Sequence, residues 1–568
     1  MLDVAIVGGE VVDGTGRPRR RADVGIRDGR IVAIGELDEV ARRRIDASGR
    51  IVAPGFIDVH THYDAQVAWD PYLTPSPLHG VTTVIGGNCG FTLAPMESEA
   101  VDYVTTMLAR VEGMPLDSVR AGVDIRWRTF AEYLASLDGK TALNAGFLVG
   151  HSTVRRIVLG DDWRRQATDD EIGAMGRMVS DSLAGGALGF SSSWSETHND
   201  ATGDPIPSRF ATEEELLRLC SELRQHPGTF LEFLPLAAGP FPYERSLLMA
   251  QMSVAAQRPL NWNLLTVRPD ITDEAIQSRL GASDVATKHG GAVYGLTLPI
   301  PQTLHINLDS GFLFDSAPVW AEILGHPREE KRRMLADPDV RRRLATTAAE
   351  AGRIWYDVDR LRFESVGAAT YADIAGRTIA EAARSRGVEP FDLMFDVAVA
   401  DDLATVFVVP PQGDDPESWK RRASLWDDPR TIIGGSDAGA HLDMVDTFSY
   451  FTDFVGPTVR ERQLLSLESA VRMLTDDAAR AFGLSGRGRL EVGFHADVVV
   501  FDEAQVRTSP TEVRTDLPAN GMRLYAEAHG IDTVLVNGGL IVEDAALTGE
   551  MPGTVLRSGR DTDTVATK

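Results

Sequence analysis

Two histidines and one aspartate stand at the ends of short apolar segments, where their side chains can share one metal ion. His60 and His62 follow a short segment with the apolar residues Phe56, Ile57 and Val59. Because residues two apart in an extended chain point the same way, both imidazoles can face the same ion. Asp437 follows a second apolar segment, residues 431 to 435, and its carboxylate can bind metal or carry a proton. These residue types can bind a metal ion and move protons.

Strand and helix signals alternate through the middle of the chain, and they indicate the framework that positions these residues. Helical patterns at residues 169 to 183 and 213 to 224 begin after the potential capping residues Thr168 and Thr212. The short apolar segments between such patterns are residues 82–85, 143–149, 187–191, 229–234 and 260–265. This alternation predicts an α/β fold with a parallel sheet, and the number of segments fits a closed (β/α)8 TIM-like barrel.

The second half of the predicted barrel is less regular. Its seventh strand has two candidates, residues 292 to 296 and residues 405 to 409, and both alternatives stay open. Residues 300 to 375 contain charged helical patterns and predict an insertion over the mouth of the barrel.

Both ends of the chain are rich in β signals. Residues 1 to 54 and 485 to 568 contain short β-like segments that are separated by glycine-containing turns. Neither end alone has enough strands for a stable sandwich, so we expect one small β-sandwich domain built from both termini. Residues 55 to 484 are then left for the barrel and its insertion.

Cys89 follows the second predicted barrel strand, within the tripeptide Asn-Cys-Gly. A lone cysteine is most often a small buried side chain in a protein core. Its place favours a different role, because catalytic residues collect at the carboxyl ends of barrel strands and a thiolate binds zinc well. Cys89 is therefore a candidate metal ligand. Cys220 is the other cysteine of the chain, so we expect no disulfide framework.

Several segments resemble the amidohydrolase superfamily, and in particular its N-acyl-D-amino-acid deacylase (D-aminoacylase) branch. The matching segments are residues 55–62 (Gly-Phe-Ile-Asp-Val-His-Thr-His), the Ser-Asp pair at 436–437, and residues 80–95, 150–155 and 185–192. The resemblance implies a metal-bearing (β/α)8 barrel that cleaves amide and related bonds. It also implies that Cys89 takes the place where many relatives use a carbamylated lysine, and none of the five lysines lies in a predicted barrel strand.

The resemblance is incomplete at two positions that matter for metal binding. D-aminoacylases carry a metal-binding histidine after strand five and another after strand six. The corresponding segments here contain Glu232 and Asn263, and both histidines are missing. Glu232 can bind metal through oxygen, and Asn263 can do so weakly.

Three interpretations of the metal site follow from this departure. Another histidine, His198 or His305, reaches into the site, or the chain no longer binds metal well. In the third interpretation, which we favour, the metal moves to the ligands that remain. That site would hold one zinc ion, or another divalent metal, among His60, His62, Cys89, Asp437 and Glu232.

Four further residues are candidates for contact with a substrate. His151 lies in a segment that resembles the family and either stabilises the oxyanion as a catalytic residue or only braces its loop. Arg155 can hold a substrate carboxylate by a two-pronged contact, or form part of a solvated surface pair. His441, four residues after Asp437, can orient that carboxylate or the substrate. Asn263 is the fourth candidate.

Composition limits the classes of partner. Hydrophobic residues make up 43% of the chain and charged residues 25%, as in ordinary globular proteins. The formal net charge of −26 repels phosphate backbones and anionic lipids, so we expect neither nucleic acid nor a membrane as partner. The sequence shows no export signal, and we expect a cytoplasmic protein that acts on a small molecule, with a homo-oligomer as an open alternative.

The sequence predicts a metal-dependent hydrolase of a non-peptide amide bond, and the resemblance points to an N-acyl-D-amino acid as its substrate. A cyclic amidase, or another amidohydrolase with a divergent substrate, is a second hypothesis. A degenerate barrel that binds a small molecule without turnover is a third. The first two require His60, His62 and Asp437, whereas the third does not.

Overall fold

The computed structural model describes residues 1–311, 313–314, 317–351 and 357–567 of the 568-residue chain. Short parallel strands with largely buried side chains form its centre, as expected for strands covered on both faces. These strands are β8 (Phe56–Asp58), β9 (Val81–Gly86), β10 (Asn144–Phe147), β11 (Val149–Gly150), β12 (Gly189–Ser193), β13 (Phe230–Leu234), β14 (Leu260–Leu265), β15 (Val293–Thr297) and β19 (Thr431–Ile433). They form two sheets, in the orders β10-β9-β8 and β11-β12-β13-β14-β15-β19.

The two parallel sheets continue into each other at both ends. Strand β10 runs into β11 after Leu148, and a parallel bridge between Thr61 and Ala438 joins the segments that follow β8 and β19. A buried apolar cluster contains Ile57, Ile85 and Leu296 from β8, β9 and β15, together with Leu148 and Leu188, which lie next to β10 and β12. Of the two candidates for strand seven, residues 293 to 297 pair with β14 and β19 in this sheet.

Helices alternate with the central strands. They are α1 (Val101–Val111), α2 (Leu116–Gly122), α3 (Phe130–Leu137), α4 (His151–Leu159), α5 (Asp169–Ala184), α6 (Glu213–Ser221), α7 (Tyr243–Ala256), α8 (Asp273–His289), α14 (Pro416–Trp426), α15 (Tyr450–Asp453), α16 (Leu467–Leu474) and α17 (Asp476–Ala481). Thr168 and Thr212 cap α5 and α6 through their hydroxyl groups, as the sequence predicts. Among the described residues, no helix combines the length and apolarity that crossing a membrane requires.

Residues between β15 and α14 form a separate packed unit. Its elements are β16 (Leu304–Ile306), α9 (Pro318–Leu324), α10 (Arg328–Leu335), α11 (Pro338–Ala351), β17 (Arg362–Ser365), α12 (Ile379–Arg386), α13 (Pro390–Ala400) and β18 (Val406–Val409). The strands pair antiparallel in the order β16-β18-β17, over an apolar cluster of their own. The other candidate for strand seven therefore lies in this unit, which extends beyond the predicted 300 to 375.

Strands from both chain ends share a sheet. The N-terminal strands are β1 (Leu2–Val7), β2 (Glu10–Val11), β3 (Arg20–Arg21), β4 (Asp23–Arg27), β5 (Arg30–Gly35), β6 (Ala41–Asp46) and β7 (Ile51–Pro54). The C-terminal strands are β20 (Val498–Phe501), β21 (Arg507–Thr508), β22 (Glu512–Leu517), β23 (Gly521–Tyr525), β24 (Ala528–His529), β25 (Ile531–Val536), β26 (Gly539–Glu543) and β27 (Ala546–Leu547). One sheet runs β27-β26-β25-β20-β7-β2-β3, and a second runs β5-β4-β1-β6. A single apolar cluster contains side chains from both sheets, including Ile6, Ile26, Val498 and Leu535.

Candidate metal centre

Three of the predicted ligands meet at the carboxyl ends of β8 and β9. One ligand atom from each of His60, His62 and Cys89 lies within 4.8 Å of the other two. The Sγ atom of Cys89 is 3.7 Å from Nε2 of His60. All three side chains are buried, so solvent does not compete for these atoms. Two imidazole nitrogens and one sulfur form a donor set that suits zinc.

Asp437 brings a carboxylate to the same cluster from the end of β19. Its Oδ1 atom lies 3.2 Å from Nε2 of His60 and 3.8 Å from Nε2 of His62. The backbone reaches this position through left-handed conformations, with φ of +85° at Gly435 and +52° at Asp437. The Asp437 side chain keeps 20% of its surface exposed, whereas the side chains of His60 and His62 keep 0% and 4%. A substrate can therefore approach this carboxylate.

The turn that carries Cys89 is fixed by the neighbouring strand β12. Gly87 and Cys89 have φ values of +75° and +56°, and an added Cβ at Gly87 would lie 2.3 Å from the carbonyl oxygen of Leu148. The Ser191 hydroxyl donates to the carbonyl of Gly87 and accepts from the backbone N–H of Gly90 at 3.0 Å. This serine therefore holds the turn on both sides of the thiol.

Glu232 lies behind Cys89, in the strand where the D-aminoacylases have the first missing histidine. One carboxylate oxygen accepts a hydrogen bond from the backbone N–H of Cys89 at 2.8 Å, and the other lies 4.0 Å from Sγ. Burial raises the pKa of Glu232 to about 7. The structure thus brings this predicted ligand to the edge of the cluster.

The resemblance puts Asn263 in the place of the second missing histidine. Its Nδ2 atom lies 3.4 Å from Nε2 of His60 and 3.5 Å from Sγ of Cys89, and its Oδ1 is buried without a hydrogen-bond partner. Because the two ends of an amide are assigned from the hydrogen-bond network, the opposite rotamer would turn the oxygen toward the cluster. A cation there would give that oxygen a partner, so these residues fit a metal ion.

The charges of the cluster depend on burial and on each other. Burial lowers the pKa of His62 to about 4, which keeps this imidazole in the neutral, metal-binding form at pH 7. Burial alone would raise the pKa of Asp437, but its contacts with the His60 and His62 imidazoles outweigh that effect and lower the pKa. Burial and the nearby carboxylates raise the pKa of the Cys89 thiol, so a cation is what would hold it as a thiolate.

Buried polar residues support the ligands from behind. The Ser436 hydroxyl donates to Oδ2 of Asp58 at 2.6 Å and to the carbonyl oxygen of His60 at 3.2 Å, which ties the end of β19 to β8. Glu112, just after α1, places Oε1 3.1 Å from Nδ1 of His62. No local pattern indicates Glu112, because it lies in no strand and in no segment with a recognisable motif.

The other candidate histidines differ in how near they lie to the metal cluster. His441 donates its backbone N–H to the carbonyl of Glu112, and its imidazole interacts electrostatically with Asp437. His198 interacts electrostatically with His441 and hydrogen-bonds to the Ser193 hydroxyl through Nδ1 at 2.9 Å. His305 lies in β16, outside the central sheets. His441 and His198 thus belong to the surroundings of the cluster.

His151 and Arg155 belong to a different buried network. Nε2 of His151 lies 3.0 Å from Oε1 of Glu215, and its Nδ1 lies 2.9 Å from the Ser192 hydroxyl. The Arg155 guanidinium also pairs with Glu215, and both side chains are fully buried. Within the described part of the chain, no hydrogen bond or ion pair joins either residue to the metal cluster. Their catalytic and substrate-binding roles stay predictions.

Comparison with known proteins places this geometry in a family. A model described as "Amidohydrolase family" matches residues 43–323 and 331–542. The D-aminoacylase of Alcaligenes xylosoxydans xylosoxydans is 31% identical over 561 residues, which cover 98% of this chain and 97% of the relative. The N-acyl-D-glutamate deacylase of the same organism is 30% identical over 575 residues, covering 98% and 96%.

A solved structure gives the same result for the fold. It is the N-acyl-D-glutamate deacylase from Bordetella bronchiseptica, complexed with zinc and a phosphonate inhibitor that mimics the tetrahedral intermediate of the reaction. It matches with a TM-score of 0.66 at 28% identity and covers 98% of this chain and all of that one. The resemblance inferred from the sequence is therefore confirmed over nearly the whole length. The chain belongs to the amidohydrolase family, in the branch that contains the D-aminoacylases.

Proposed function

We propose that this chain is a metal-dependent hydrolase that removes the acyl group from an N-acyl-D-amino acid or a related N-acyl compound. The observation that carries the proposal is the convergence of His60, His62, Cys89 and Asp437 at the carboxyl ends of parallel strands. Relatives that align over nearly the full chain are a D-aminoacylase and an N-acyl-D-glutamate deacylase. The bond to be broken is a carbon–nitrogen bond other than a peptide bond.

The same four residues would hold one zinc ion, with Glu232 and the amide oxygen of Asn263 available at its edge. Zinc bound there would lower the pKa of water and polarise the substrate carbonyl. The short distances among the ligand atoms and the partnerless Asn263 oxygen support this assignment. Two imidazoles, a thiolate and a carboxylate suit tetrahedral zinc better than magnesium or calcium, which prefer oxygen.

Asp437 would carry the proton of the reaction. It is ionised at neutral pH and partly exposed, so it can accept a proton from the attacking water and deliver it to the leaving nitrogen. Asn263 and His441 are the candidates for substrate contact at the cluster. His151 would act through Glu215 as a buried brace, which is the structural alternative that the sequence left open for it. Arg155 is fully buried in the same network, so its alternative as part of a solvated surface pair is wrong.

We also infer the domain architecture from the observed pairing. The central strands would close as a (β/α)8 barrel over residues 55 to 484, supported by the bridge between Thr61 and Ala438. The sheets shared by the chain ends would form one β-sandwich of residues 1 to 54 and 485 to 568, supported by their common apolar cluster. The cytoplasmic location and a homo-oligomeric state stay predictions.

The proposal predicts stereospecific, metal-dependent deacylation. Purified protein loaded with zinc should release the free amine from N-acetyl-D-amino acids at least tenfold faster than from their L forms, and chelation should remove the activity. Readdition of zinc, at about one ion per chain, should restore it. Turnover of a cyclic amide such as a hydantoin, without any N-acyl substrate, would instead favour the cyclic amidase. Binding of ligands without any turnover at full zinc occupancy would favour the non-catalytic barrel.

A further inference from the structure

A cavity of about 840 Å³ lies at the carboxyl ends of β12, β13 and β14. We propose that this cavity receives an uncharged, largely apolar group of the substrate and discriminates against a second carboxylate. The inference rests on the proposed deacylase function and narrows its substrate class. We call it the side cavity; it is lined by Glu196, Ala238, Leu265, Arg268, Ala275 and Arg279, among others.

The side cavity begins next to residues of the metal centre. Thr197 and Asn199 line it on either side of His198, and electrostatic interactions link that imidazole to the ligand cluster. Leu265 lines it as well, two residues beyond Asn263, whose amide contacts the cluster. In the proposed complex, a substrate bound at the cluster extends one of its groups into this space.

Every charged side chain among the described lining residues already has a partner. Arg268 forms a two-pronged pair with Asp270, with both distances 3.0 Å. Arg279 donates to three backbone carbonyl oxygens at 2.8, 3.1 and 3.1 Å. Glu196 accepts a hydrogen bond from the backbone N–H of Ala237 at 3.2 Å. Two guanidinium groups and two carboxylates leave no net charge in the wall.

The rest of the wall is neutral and rich in small or apolar side chains. Ala238, Pro240, Leu265 and Ile271 contribute apolar surface from the ends of β13 and β14. A carboxylate that entered the cavity would lose its hydrating water, and both arginines of the wall already have other partners, so its burial there is unfavourable. An apolar group would gain from leaving water. The relative named N-acyl-D-glutamate deacylase acts on a substrate with an acidic side chain, so the two proteins would differ in substrate preference.

Calorimetry and kinetics on the zinc-loaded protein test the preference. N-acetyl-D-leucine should bind with at least about tenfold higher affinity than N-acetyl-D-glutamate, and its kcat/KM should be higher by a similar factor. An apolar pocket discriminates between substrates on this scale. A comparison of kcat/KM for N-hexanoyl-D-alanine and N-acetyl-D-alanine shows whether the acyl chain, rather than the amino-acid side chain, occupies the cavity. An advantage for either longer apolar group supports the proposal.

A cavity-filling variant locates the effect. Ala275→Phe adds a ring to the wall and should remove the advantage of the longer group while sparing the smallest substrate. Gln277→Phe adds the same ring to an exposed position of the same helix and should change nothing. Equal or tighter binding of N-acetyl-D-glutamate by wild type, or no response to Ala275→Phe, overturns the proposal. Selective binding without hydrolysis would support the cavity and contradict the deacylase function instead.

A second inference comes from Glu112 and concerns the metal ligands. We infer that Glu112 is a positioning residue that orients His62 for metal binding. Its Oε1 lies 3.1 Å from Nδ1 of His62, both side chains are almost fully buried, and neither atom makes a hydrogen bond of standard geometry among the described residues. A carboxylate at Nδ1 fixes the ring and leaves Nε2 to the metal.

The same residue also holds the turn after Asp437. The carbonyl oxygen of Glu112 accepts the backbone N–H of His441. Glu112 therefore contacts segments that follow two different strands, β8 and β19, and both carry ligands. The carboxylate of Glu112 contacts His62, whereas its backbone carbonyl contacts His441. A substitution of the side chain therefore changes the first contact and keeps the second.

Zinc affinity, measured by competition with a chromogenic chelator, tests this role without a substrate. Glu112→Gln keeps the size and the backbone contact, and should weaken zinc binding by about 10- to 100-fold, as for other partners of ligand histidines. Glu215→Gln is the matched control: it changes a buried carboxylate beside His151, outside the cluster, and should leave zinc affinity unchanged. Wild-type affinity in Glu112→Gln, or a metal-free variant that fails to fold, overturns the assignment.

Discussion

Asp437→Asn should lower turnover by about 10² to 10⁴, the usual contribution of a general acid–base group, while the fold stays intact. Asparagine keeps the size of the side chain and can still contact the metal, but it cannot accept a proton. The measurement is kcat at saturating zinc for the best N-acyl-D-amino acid, with circular dichroism to check the fold. Asp437 is the most exposed of the four proposed ligands, so no other carboxylate of the cluster is as accessible to a substrate.

The control for Asp437→Asn is a nearby acid outside the cluster. Asp443 accepts hydrogen bonds from Asn307 and Ser310 in the neighbouring unit. Asp443→Asn should therefore keep its turnover within a few-fold of wild type. A wild-type rate in Asp437→Asn would contradict the proposed proton transfer, and Glu232, with its raised pKa, would become the next candidate base. Unfolding of Asp437→Asn would make the residue structural.

Cys89→Ser should reduce the zinc content, or the zinc affinity, by at least tenfold. The serine hydroxyl stays protonated at neutral pH and is a poor anionic ligand, whereas a bound cation holds the cysteine as a thiolate. The chain supplies its own matched control, because Cys220 is also buried and belongs to no group of three potential metal ligands among the described residues. Cys220→Ser should keep wild-type zinc content, measured by elemental analysis after dialysis.

Equal zinc content in the two serine variants would return Cys89 to a packing role. A loss in both would indicate that any buried thiol is needed for folding. Thermal unfolding with and without zinc separates these outcomes, because a lost ligand reduces the stabilisation by zinc and a lost core contact does not.

The sequence was most informative where chemistry depends on local pattern. His60 and His62 sit two apart after one strand, and Cys89 and Asp437 each end a strand, so parallel strands that meet at one edge bring them together. Glu112 and Glu215 could not be found in this way. Each acts on a histidine that is distant in sequence, and only the packing of a loop or helix against the strands creates the contact.

For the fold as well, features set by neighbouring residues could be predicted from the sequence, whereas features set by distant residues could not. Thr168 and Thr212 were predicted as helix caps from residues within one turn, and the structure has both caps. The two candidates for strand seven could not be separated, because residues 293 to 297 and 406 to 409 are both short and apolar. Their partners decide the matter: the first pairs with two parallel strands, and the second lies between antiparallel ones.

The pairing of β7 with β20 has a consequence for how the protein is made. Strand β7 ends at Pro54 and leads directly into β8, which precedes the first two ligands, but its antiparallel partner β20 begins only at Val498. On the ribosome, more than 440 residues must therefore emerge after β7 before this pair can form. Contacts of such long sequence separation form late and are costly in chain entropy. The sheet shared by the chain ends therefore closes only after all the residues between its two halves have been synthesised.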